Sequence, residues 1–354
     1  MANNNSNSIK KTVAELLKNI SARNKDIVSR RFGLKTGKKE TLESIGSSYR
    51  ITRERVRQIE ESTLGQLRQA VSGNTDVTQY IRLAKDILGE KGGVAKERDL
   101  FRSFSGQEAD NVINASLVFV LTLSNELTRL QENEDFNSFW AVNAQTAGAF
   151  KATTASLMKI LEKSGRVVSP EDFSYLAQKS SVAGFSGSGK PLSNDEVSLC
   201  MGVSKNLDRN IFNEVGLASW SEIKPKGVRD KAYLVLKKAS KPRHFSEIAK
   251  LINVAGFNNK KANTQTVHNE LIKDDRFVLV GRGMYALSEW GYKAGTVKDV
   301  LVDILRNSEK SLPKATLMAK VRDARMVKEN TILLNLQDSK TFRKNDDGTY
   351  ALKA

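Results

Sequence analysis

The last third of the chain contains an internal repeat, which restricts the fold more than any other feature of the sequence. The segment TVHNELIKDDRFVLVGRGMYAL, residues 266–287, aligns without gaps on TILLNLQDSKTFRKNDDGTYAL, residues 331–352, at an offset of 65 residues. Self-similarity of this kind is the mark of a duplicated structural unit. We therefore expect two copies of one module, in residues 228–291 and 294–354.

Each copy has the sequence pattern of three helices followed by a hairpin. Apolar residues at helical spacing open each copy, a short break with a proline follows, and the second helices are predicted in SEIAKLI and TLMAKV. Thr266 and Thr331 are predicted to cap the third helices. Two β-prone runs around a turn with glycine then end each copy. Three helices and a terminal hairpin describe a winged helix.

The same order of elements can be found upstream. VTQYIRLAKDIL, KERDLFRSF and ADNVINASLVFVLTLS are typical of three helices, and the wing that follows predicts a module in residues 75–145. A weaker copy predicts another in residues 148–226, with a flexible Ser- and Gly-rich loop at 180–191. Residues 1–8 are predicted to be a disordered tail. The expected fold class is mainly α with small β wings: an N-terminal helix-turn-helix in residues 9–72, followed by a tandem array of winged-helix modules.

The charge of the chain is strongly positive and unevenly distributed. Lys and Arg number 57 against 40 Asp and Glu, a net charge of +17, which favours a polyanionic partner. Residues 1–70 hold 15 basic and 7 acidic residues, whereas residues 71–147 hold 7 and 11. Because the chain has a single cysteine and no apolar run of about 18 residues, we expect a soluble, cytoplasmic protein associated with the nucleoid.

The segment TLESIGSSYRITRERVRQIEE, residues 41–61, has the pattern of a helix-turn-helix. Leu42 and Ile45 precede a turn, and Val56 and Ile59 follow it at helical spacing. Thr52 is placed to cap the second helix. That helix is therefore predicted to begin near residue 53.

The outward face of this second helix has side chains suited to reading DNA. If Val56 and Ile59 face inward, four polar residues form an exposed strip: Arg53, Glu54, Arg57 and Gln58. Arg can bind guanine with two hydrogen bonds, Gln can bind adenine, and Glu can accept from cytosine, while Arg55 would lie beside the phosphates. Composition alone leaves a second interpretation open, an amphipathic surface helix with Arg and Glu pairs.

Residues 11–69 resemble region 4 of the bacterial primary sigma factors, through RNKDIVSRRFGL, the linker KTGKKE and TLESIGSSYRITRERVRQIEESTLGQLRQ. The resemblance implies that the second helix reads the −35 promoter element with Arg53, Glu54, Arg57 and Gln58, while Thr52 and Arg55 contact the backbone or flanking positions. It also implies that six apolar residues form the region 4 core and a groove facing the flap of the polymerase β subunit: Val13, Leu16, Ile27, Val28, Phe32 and Leu34. The promoter-melting region of that family has no counterpart in this chain, so we do not expect it to open a promoter alone.

Residues 229–292 are similar to the HARE-type helix-turn-helix, a winged-helix module related to the N-terminal domain of the polymerase delta subunit. In this module His268 and Asn269 are predicted to be exposed, and four basic residues are candidates for contacts with the DNA backbone: Lys260, Lys261, Lys273 and Arg282. A protein-binding winged helix is the open alternative. Chains that join these two parts form a bacterial group described as sigma factor-like DNA-binding proteins.

Other chemical signals in the sequence are weak. GFSGSGKP, residues 184–191, fits the phosphate-binding loop pattern, but Pro191 stands where the pattern requires Ser or Thr. His244, His268 and Cys200 do not supply a zinc site or a catalytic dyad. We expect no enzyme activity, metal, cofactor, membrane or small-molecule substrate. The predicted function is sequence-specific DNA binding in transcription initiation, with RNA polymerase as a second partner; the alternative is a polymerase-associated protein that does not read sequence.

Overall fold

The computed structural model describes residues 2–71, 73–186, 192–257, 261–292, 295–308, 310–325 and 327–353, with side chains from residue 8 onward. These residues form α-helices and small antiparallel sheets, so the predicted fold class, mainly α with small β elements, is confirmed. The chain folds into two compact units. The first comprises residues 1–209 with 213–218, and the second comprises residues 210–212 with 219–354.

The first unit opens with four helices: α1 (Ala2–Leu16), α2 (Ala22–Phe32), α3 (Leu42–Tyr49) and α4 (Arg53–Ala70). Helix α1 begins inside the segment that was predicted to be a disordered tail, because its later turns are anchored. Ile9 and Val13 are buried and pack with the helices that follow. The Asn- and Ser-rich composition of the first residues gave no sign of this anchor.

The next part of the first unit has the predicted three helices and hairpin, plus one strand that the sequence did not indicate. Its elements are α5 (Thr75–Glu90), β1 (Val94–Lys96), α6 (Glu97–Ser105), α7 (Val112–Thr122), β2 (Thr128–Leu130) and β3 (Phe139–Ala141). The short strand β1 lies between the first and second helices. It pairs antiparallel with β3, which pairs antiparallel with β2, so the sheet order is β1-β3-β2.

The rest of the first unit repeats this order with a shorter sheet. Its elements are α8 (Ala144–Ser164), α9 (Pro170–Lys179), α10 (Asn194–Val203), β4 (Leu207–Arg209) and β5 (Val215–Leu217). Strands β4 and β5 pair antiparallel, and an isolated bridge joins Val168 to Val215. Val168 therefore occupies the place that β1 has in the preceding part.

The second unit contains two copies of the same topology, as the 65-residue repeat predicts. The first copy consists of α11 (Val228–Ala239), β6 (Arg243–His244), α12 (Phe245–Ala255), α13 (Thr264–Lys273), β7 (Phe277–Gly281) and β8 (Met284–Leu287). The second consists of α14 (Val297–Arg306), β9 (Leu312–Pro313), α15 (Lys314–Ala324), α16 (Glu329–Leu336), β10 (Phe342–Lys344) and β11 (Thr349–Leu352). In both sheets the last strand lies in the centre, in the orders β6-β8-β7 and β10-β11-β9.

The predicted caps of the third helices are wrong. Helix α13 is capped by Asn263, whose side chain accepts hydrogen bonds from the first-turn backbone, so Thr266 lies inside the helix. Helix α16 begins at Glu329, two residues before Thr331. Residues able to cap occur at neighbouring positions of both segments, and the sequence does not show which position has extended backbone geometry.

Candidate nucleic-acid interface

Helices α3 and α4 form the predicted helix-turn-helix, and capping residues set both of its helix starts. The Thr41 side chain accepts from the Ser44 backbone N–H at 3.1 Å, and the Thr52 side chain accepts from the Arg55 N–H at 3.2 Å. Helix α3 ends at Tyr49 and is followed by Arg50, whose backbone is left-handed with φ of 54°. Helix α4 begins at Arg53, as predicted.

Gly46 allows the chain to turn sharply between these two helices. A Cβ atom placed on this residue would lie 2.7 Å from the carbonyl oxygen of Ile51, which is backbone and cannot rotate away. The Ile51 N–H donates to the Gly46 carbonyl at 3.0 Å, so the two segments are held in direct contact. The close approach of α3 to the start of α4 therefore requires glycine at this position.

A small apolar core orients the helix-turn-helix. Ile27 of α2, Ile45 of α3, and Val56 and Ile59 of α4 are buried together. Because Val56 and Ile59 point inward, the opposite face of the first two turns of α4 points to solvent. The four predicted base-reading residues are all exposed on that face, together with Arg55: Arg53, Glu54, Arg57 and Gln58.

Two of these four side chains are bound to each other. The Arg57 Nε and Nη2 atoms donate to the two carboxylate oxygens of Glu54 at 2.9 and 2.8 Å, and Arg57 Nη1 donates to Glu61 at 2.9 Å. The hydrogen bond from Arg57 lowers the pKa of Glu54, and the same bond raises the pKa of Arg57. The strip therefore presents Arg57 as a donor held between the carboxylates of Glu54 and Glu61.

Gln58 has a similar connection to Arg55. Arg55 Nη1 donates to Gln58 Oε1 at 3.1 Å, which turns the amide oxygen of Gln58 toward Arg55. Arg53 is exposed on the same face. The structure thus brings the four predicted base-reading residues together on one exposed surface. The side chains of Glu54, Arg57 and Gln58 are also paired with one another or with neighbours, as in a surface helix with Arg and Glu pairs.

Ion pairs on the inner side of the helix-turn-helix position it, and no local sequence pattern indicates them. Arg30 of α2 forms a two-bond salt bridge with Glu40, at 2.9 and 2.6 Å, and also donates to Ser48 of α3. Arg31 donates to Glu60 of α4 at 3.0 Å. Helix α2 is thereby connected to both helices of the motif.

The apolar residues expected to form the region 4 core and its polymerase-facing groove are covered by the same chain. Val13, Val28 and Phe32 are buried in one core with helices α5, α6 and α7, and Leu16 and Leu34 pack against that core. The Phe32 ring meets the Phe119 ring of α7 edge to face, with 5.2 Å between centroids. Of the six residues predicted for the region 4 core and its groove, Ile27 alone belongs to the helix-turn-helix core.

Helix α7 is the element that fills this groove, and its sequence, VINASLVFVLT, is apolar on nearly all sides. Residues 114–121 of the helix are all buried, as expected for a helix without a polar face. Its C-terminal end receives a hydrogen bond from α4, where Arg68 Nη2 donates to the Thr122 carbonyl at 3.3 Å. Buried residues from Ile9 to Trp140 therefore form one hydrophobic core, separate from the small core of the helix-turn-helix.

A buried carboxylate adds a polar connection between the helix-turn-helix part of the first unit, α1 to α4, and the part that follows it, α5 to β3. Glu97, at the start of α6, accepts from Arg129 at 2.6 and 2.9 Å and from the Trp140 indole at 3.0 Å, and the Lys39 ammonium lies 3.6 Å away. Burial raises the pKa of Glu97, but the two cations and the indole outweigh burial, so its pKa lies below the ordinary value. Lys39 belongs to the linker between α2 and α3, so its ion pair with Glu97 connects the helix-turn-helix part to the part that follows it.

The basic residues predicted to contact the DNA backbone from the second unit lie at separate places on one module. Lys261 precedes α13, Lys273 ends it, and Arg282 lies in the turn between β7 and β8; all three are exposed. Lys260 lies outside the described residues.

His268 was predicted to be exposed, but its ring stacks on Phe245 at 4.3 Å and is half-buried. The His244 ring lies 4.3 Å from Phe245 at a tilt of 34°, and its Nδ1 accepts from the Ser246 N–H at the start of α12.

The described start of the segment that fits the phosphate-binding loop pattern, residues 184–186, is bound to a carboxylate. The Phe185 and Ser186 backbone N–H groups donate to Glu196 Oε1 at 2.9 and 3.0 Å, and the Ser193 N–H donates to Oε2 at 2.9 Å. These backbone donors are therefore engaged. Residues 187–191, which include Lys190, Pro191 and the end of the predicted flexible loop at 180–191, lie outside the described residues.

Comparison with known proteins identifies the helix-turn-helix. Residues 16–69 match the family model of sigma-70, region 4. Over 76 residues the chain is 38% identical to RNA polymerase sigma factor SigA of Nostoc sp., a stretch that covers 22% of this chain and 19% of that protein. SigA of Synechocystis sp. has the same identity over the same length, and SigA of Clostridium acetobutylicum is 38% identical over 60 residues, 16% of that protein. The chain thus spans less than a fifth of the length of these relatives.

The described ranges contain neither a metal-binding cluster nor a membrane-spanning helix. Across these ranges, His, Cys, Asp and Glu side chains nowhere form a group of three or more that could hold a metal ion. Within the same residues, no helix has both the length and the apolar character needed to cross a bilayer.

Proposed function

We propose that the protein is a non-enzymatic, sequence-specific DNA-binding regulator of transcription initiation, which reads a −35-like promoter element through helix α4. The observation that carries this proposal is the exposed strip of Arg53, Glu54, Arg57 and Gln58 on the first two turns of α4. The region 4 match over residues 16–69 supports it, because the strip lies inside the matched stretch.

The chemistry of the strip suits the edges of bases in the major groove. An arginine can donate two parallel hydrogen bonds to guanine O6 and N7, and a glutamine can pair in the same way with adenine. In this proposal Thr52 and Arg55, at the start of the helix, contact phosphates, which fix register without reading sequence. The basic residues of the first 70 positions add attraction to the duplex.

We infer that the four repeated units of three helices and a hairpin are winged helices, and that residues 229–292 form a HARE-type module. Their shared topology supports this: a strand or bridge between the first two helices pairs with the last strand in every copy. In our proposal Lys260, Lys261, Lys273 and Arg282 hold DNA phosphates. The acidic unit of residues 71–147 is a poor phosphate binder, and its role is to pack on region 4.

RNA polymerase is the second proposed partner, because the matched relatives are polymerase sigma factors. The alternative is a polymerase-associated protein that does not read sequence. Affinity capture with and without nuclease separates the two. Equal recovery of polymerase in both samples, together with no sequence enriched by the purified protein from random duplexes, would refute sequence reading. As a DNA-binding regulator, the protein is expected to act in the cytoplasm on the nucleoid.

Arg57→Ala tests the proposed base readout directly. On the duplex enriched by the wild type we expect a loss of about 1–3 kcal/mol and relaxed preference at one base pair. Lys261→Ala, the matched control, should weaken all duplexes alike and reduce the salt dependence of binding, since it removes a phosphate contact. Binding is measured by fluorescence anisotropy at two salt concentrations. Equal losses for Arg57→Ala on every duplex would contradict base reading.

A further inference from the structure

The two edges of the Arg57 guanidinium that can donate a pair of hydrogen bonds are occupied to different extents. The edge formed by Nε and Nη2 is fully used, because both atoms donate to Glu54. The edge formed by Nη1 and Nη2 is the remaining one from which two parallel hydrogen bonds could reach a guanine. Glu61 holds the Nη1 corner of that edge at 2.9 Å.

The two carboxylates therefore have different consequences for DNA binding. Glu54 binds the side-on edge and fixes the direction in which the guanidinium plane points, which prepares Arg57 for a base. Glu61, one helical turn further on at i+4, engages an atom that the base would use. It also adds a negative charge to a surface that must approach a polyanion.

We propose that Glu61 limits the affinity and sets the base preference of the interface by competing with guanine for Arg57 Nη1. The inference rests on the proposed function, because it concerns the same base-reading strip. Release of Glu61 from Arg57 then precedes full engagement of a guanine, whereas Glu54 remains bound to the guanidinium throughout.

Because the Arg57–Glu61 ion pair is exposed, Glu61 can be substituted with little loss of stability. The Arg57 and Glu61 side chains are 51% and 70% exposed, and an exposed ion pair at i,i+4 contributes little to stability. A substitution at Glu61 is therefore expected to change DNA binding without unfolding the helix. Glu54 is a less suitable target, because it orients Arg57.

The test compares Glu61→Gln with Glu43→Gln in the full chain. Both changes remove one negative charge from an exposed carboxylate of the helix-turn-helix, but Glu43 lies in the first turn of α3, outside the Arg57 cluster. On the duplex enriched by the wild type, Glu61→Gln should tighten binding by about two- to fivefold relative to Glu43→Gln, the range expected for release of a surface ion pair.

Two further arms show whether the effect passes through Arg57. In an Arg57→Ala background, Glu61→Gln should no longer tighten binding beyond Glu43→Gln. On a duplex whose contacted guanine is replaced by 7-deazaguanine, which lacks the N7 acceptor, the gain should shrink in the same way. A change in bulk electrostatics alone would survive both arms.

The outcomes distinguish this inference from the proposed function. Equal gains for Glu61→Gln and Glu43→Gln, or a gain that persists without Arg57, overturn the role of Glu61 while leaving sequence reading intact. If the wild type enriches no sequence at all, sequence reading itself fails, and the inference fails with it.

Discussion

Phe119 of α7 is the residue whose removal tests most directly whether region 4 and the following helices share one core. Its side chain is fully buried, and its ring meets Phe32 of α2 at 5.2 Å with an interplanar angle of 74°. Truncation of a buried Phe to Ala costs about 3–5 kcal/mol, since burial is lost and a cavity remains. Of this, roughly 0.5–1.5 kcal/mol belongs to the aromatic pair. We therefore expect Phe119→Ala to remove a large share of the unit's stability.

Native-state hydrogen exchange with peptide resolution measures this loss separately for each part of the chain. In Phe119→Ala, amides of α1 and α2 should lose protection together with those of α5 and α7, because all four helices contribute to one core. Amides of α11 and α14, in the second unit, should be unchanged. Phe342→Ala is the matched control: it removes a buried ring from the core of the last repeat and should leave α1 to α7 protected.

A double-mutant cycle with Phe32→Ala completes the test. If the two rings act through their contact, the double variant should lose less than the sum of the single losses, by about 0.5–1.5 kcal/mol. Independent losses, with Phe119→Ala affecting only α5–α7 and Phe32→Ala only α2–α4, would refute the shared core and reopen the groove as a free surface.

Two more substitutions test the local geometry of the interface and its support. Gly46→Ala should destabilise the helix-turn-helix and weaken binding to every duplex, because its Cβ would lie 2.7 Å from the Ile51 oxygen; unchanged exchange of α3 amides would contradict this account of the turn. Glu97→Gln should lower stability at pH 7 by about 3 kcal/mol, since it leaves the Arg129 guanidinium partly unpaired in a buried site. Because folding lowers the pKa of Glu97, its contribution is present above the unfolded pKa, near 4.3, and is lost as pH falls through the folded value. Thermal melts of wild type and Glu97→Gln should therefore begin to converge as pH falls below the unfolded pKa, near 4.3, and a constant difference at all pH values would show that the carboxylate charge is not involved.

The features that could be predicted from the sequence are those determined by neighbouring residues. The Thr52 cap, the start of α4 and the exposure of Arg57 all follow from positions within a few residues of one another, and the structure has them as predicted. The helix and hairpin order in each repeat also follows from local periodicity. The role of these residues at a base remains a prediction.

Long-range packing could not be predicted in the same way. An apolar face of α2 can meet a second helix of its own chain or another protein, and periodicity does not distinguish the two. The sequence of α7 held a sign of the answer, because a helix apolar on all sides must be covered on all sides. The pairing of Glu97 with Arg129, 32 residues away, and the half-buried position of His268 depend likewise on contacts across the fold.

The two halves of α4 belong to different cores, and the two proposed partners therefore differ in the free energy needed to bind near this helix. Its first half, with Val56 and Ile59, belongs to the small helix-turn-helix core, whereas Leu64 and Leu67 of its second half belong to the core shared with α7. DNA can bind the exposed strip without opening either core. A polymerase segment that takes the apolar face of α1 and α2 must first separate α7, including the Phe32 and Phe119 contact. If that separation costs as much as loss of one ring, about 3–5 kcal/mol, it weakens such binding by on the order of a hundredfold or more. We therefore expect the proposed polymerase contact to use a surface other than this groove. In Phe119→Ala, where α7 packs less tightly, we expect the groove to become a second site for the polymerase segment.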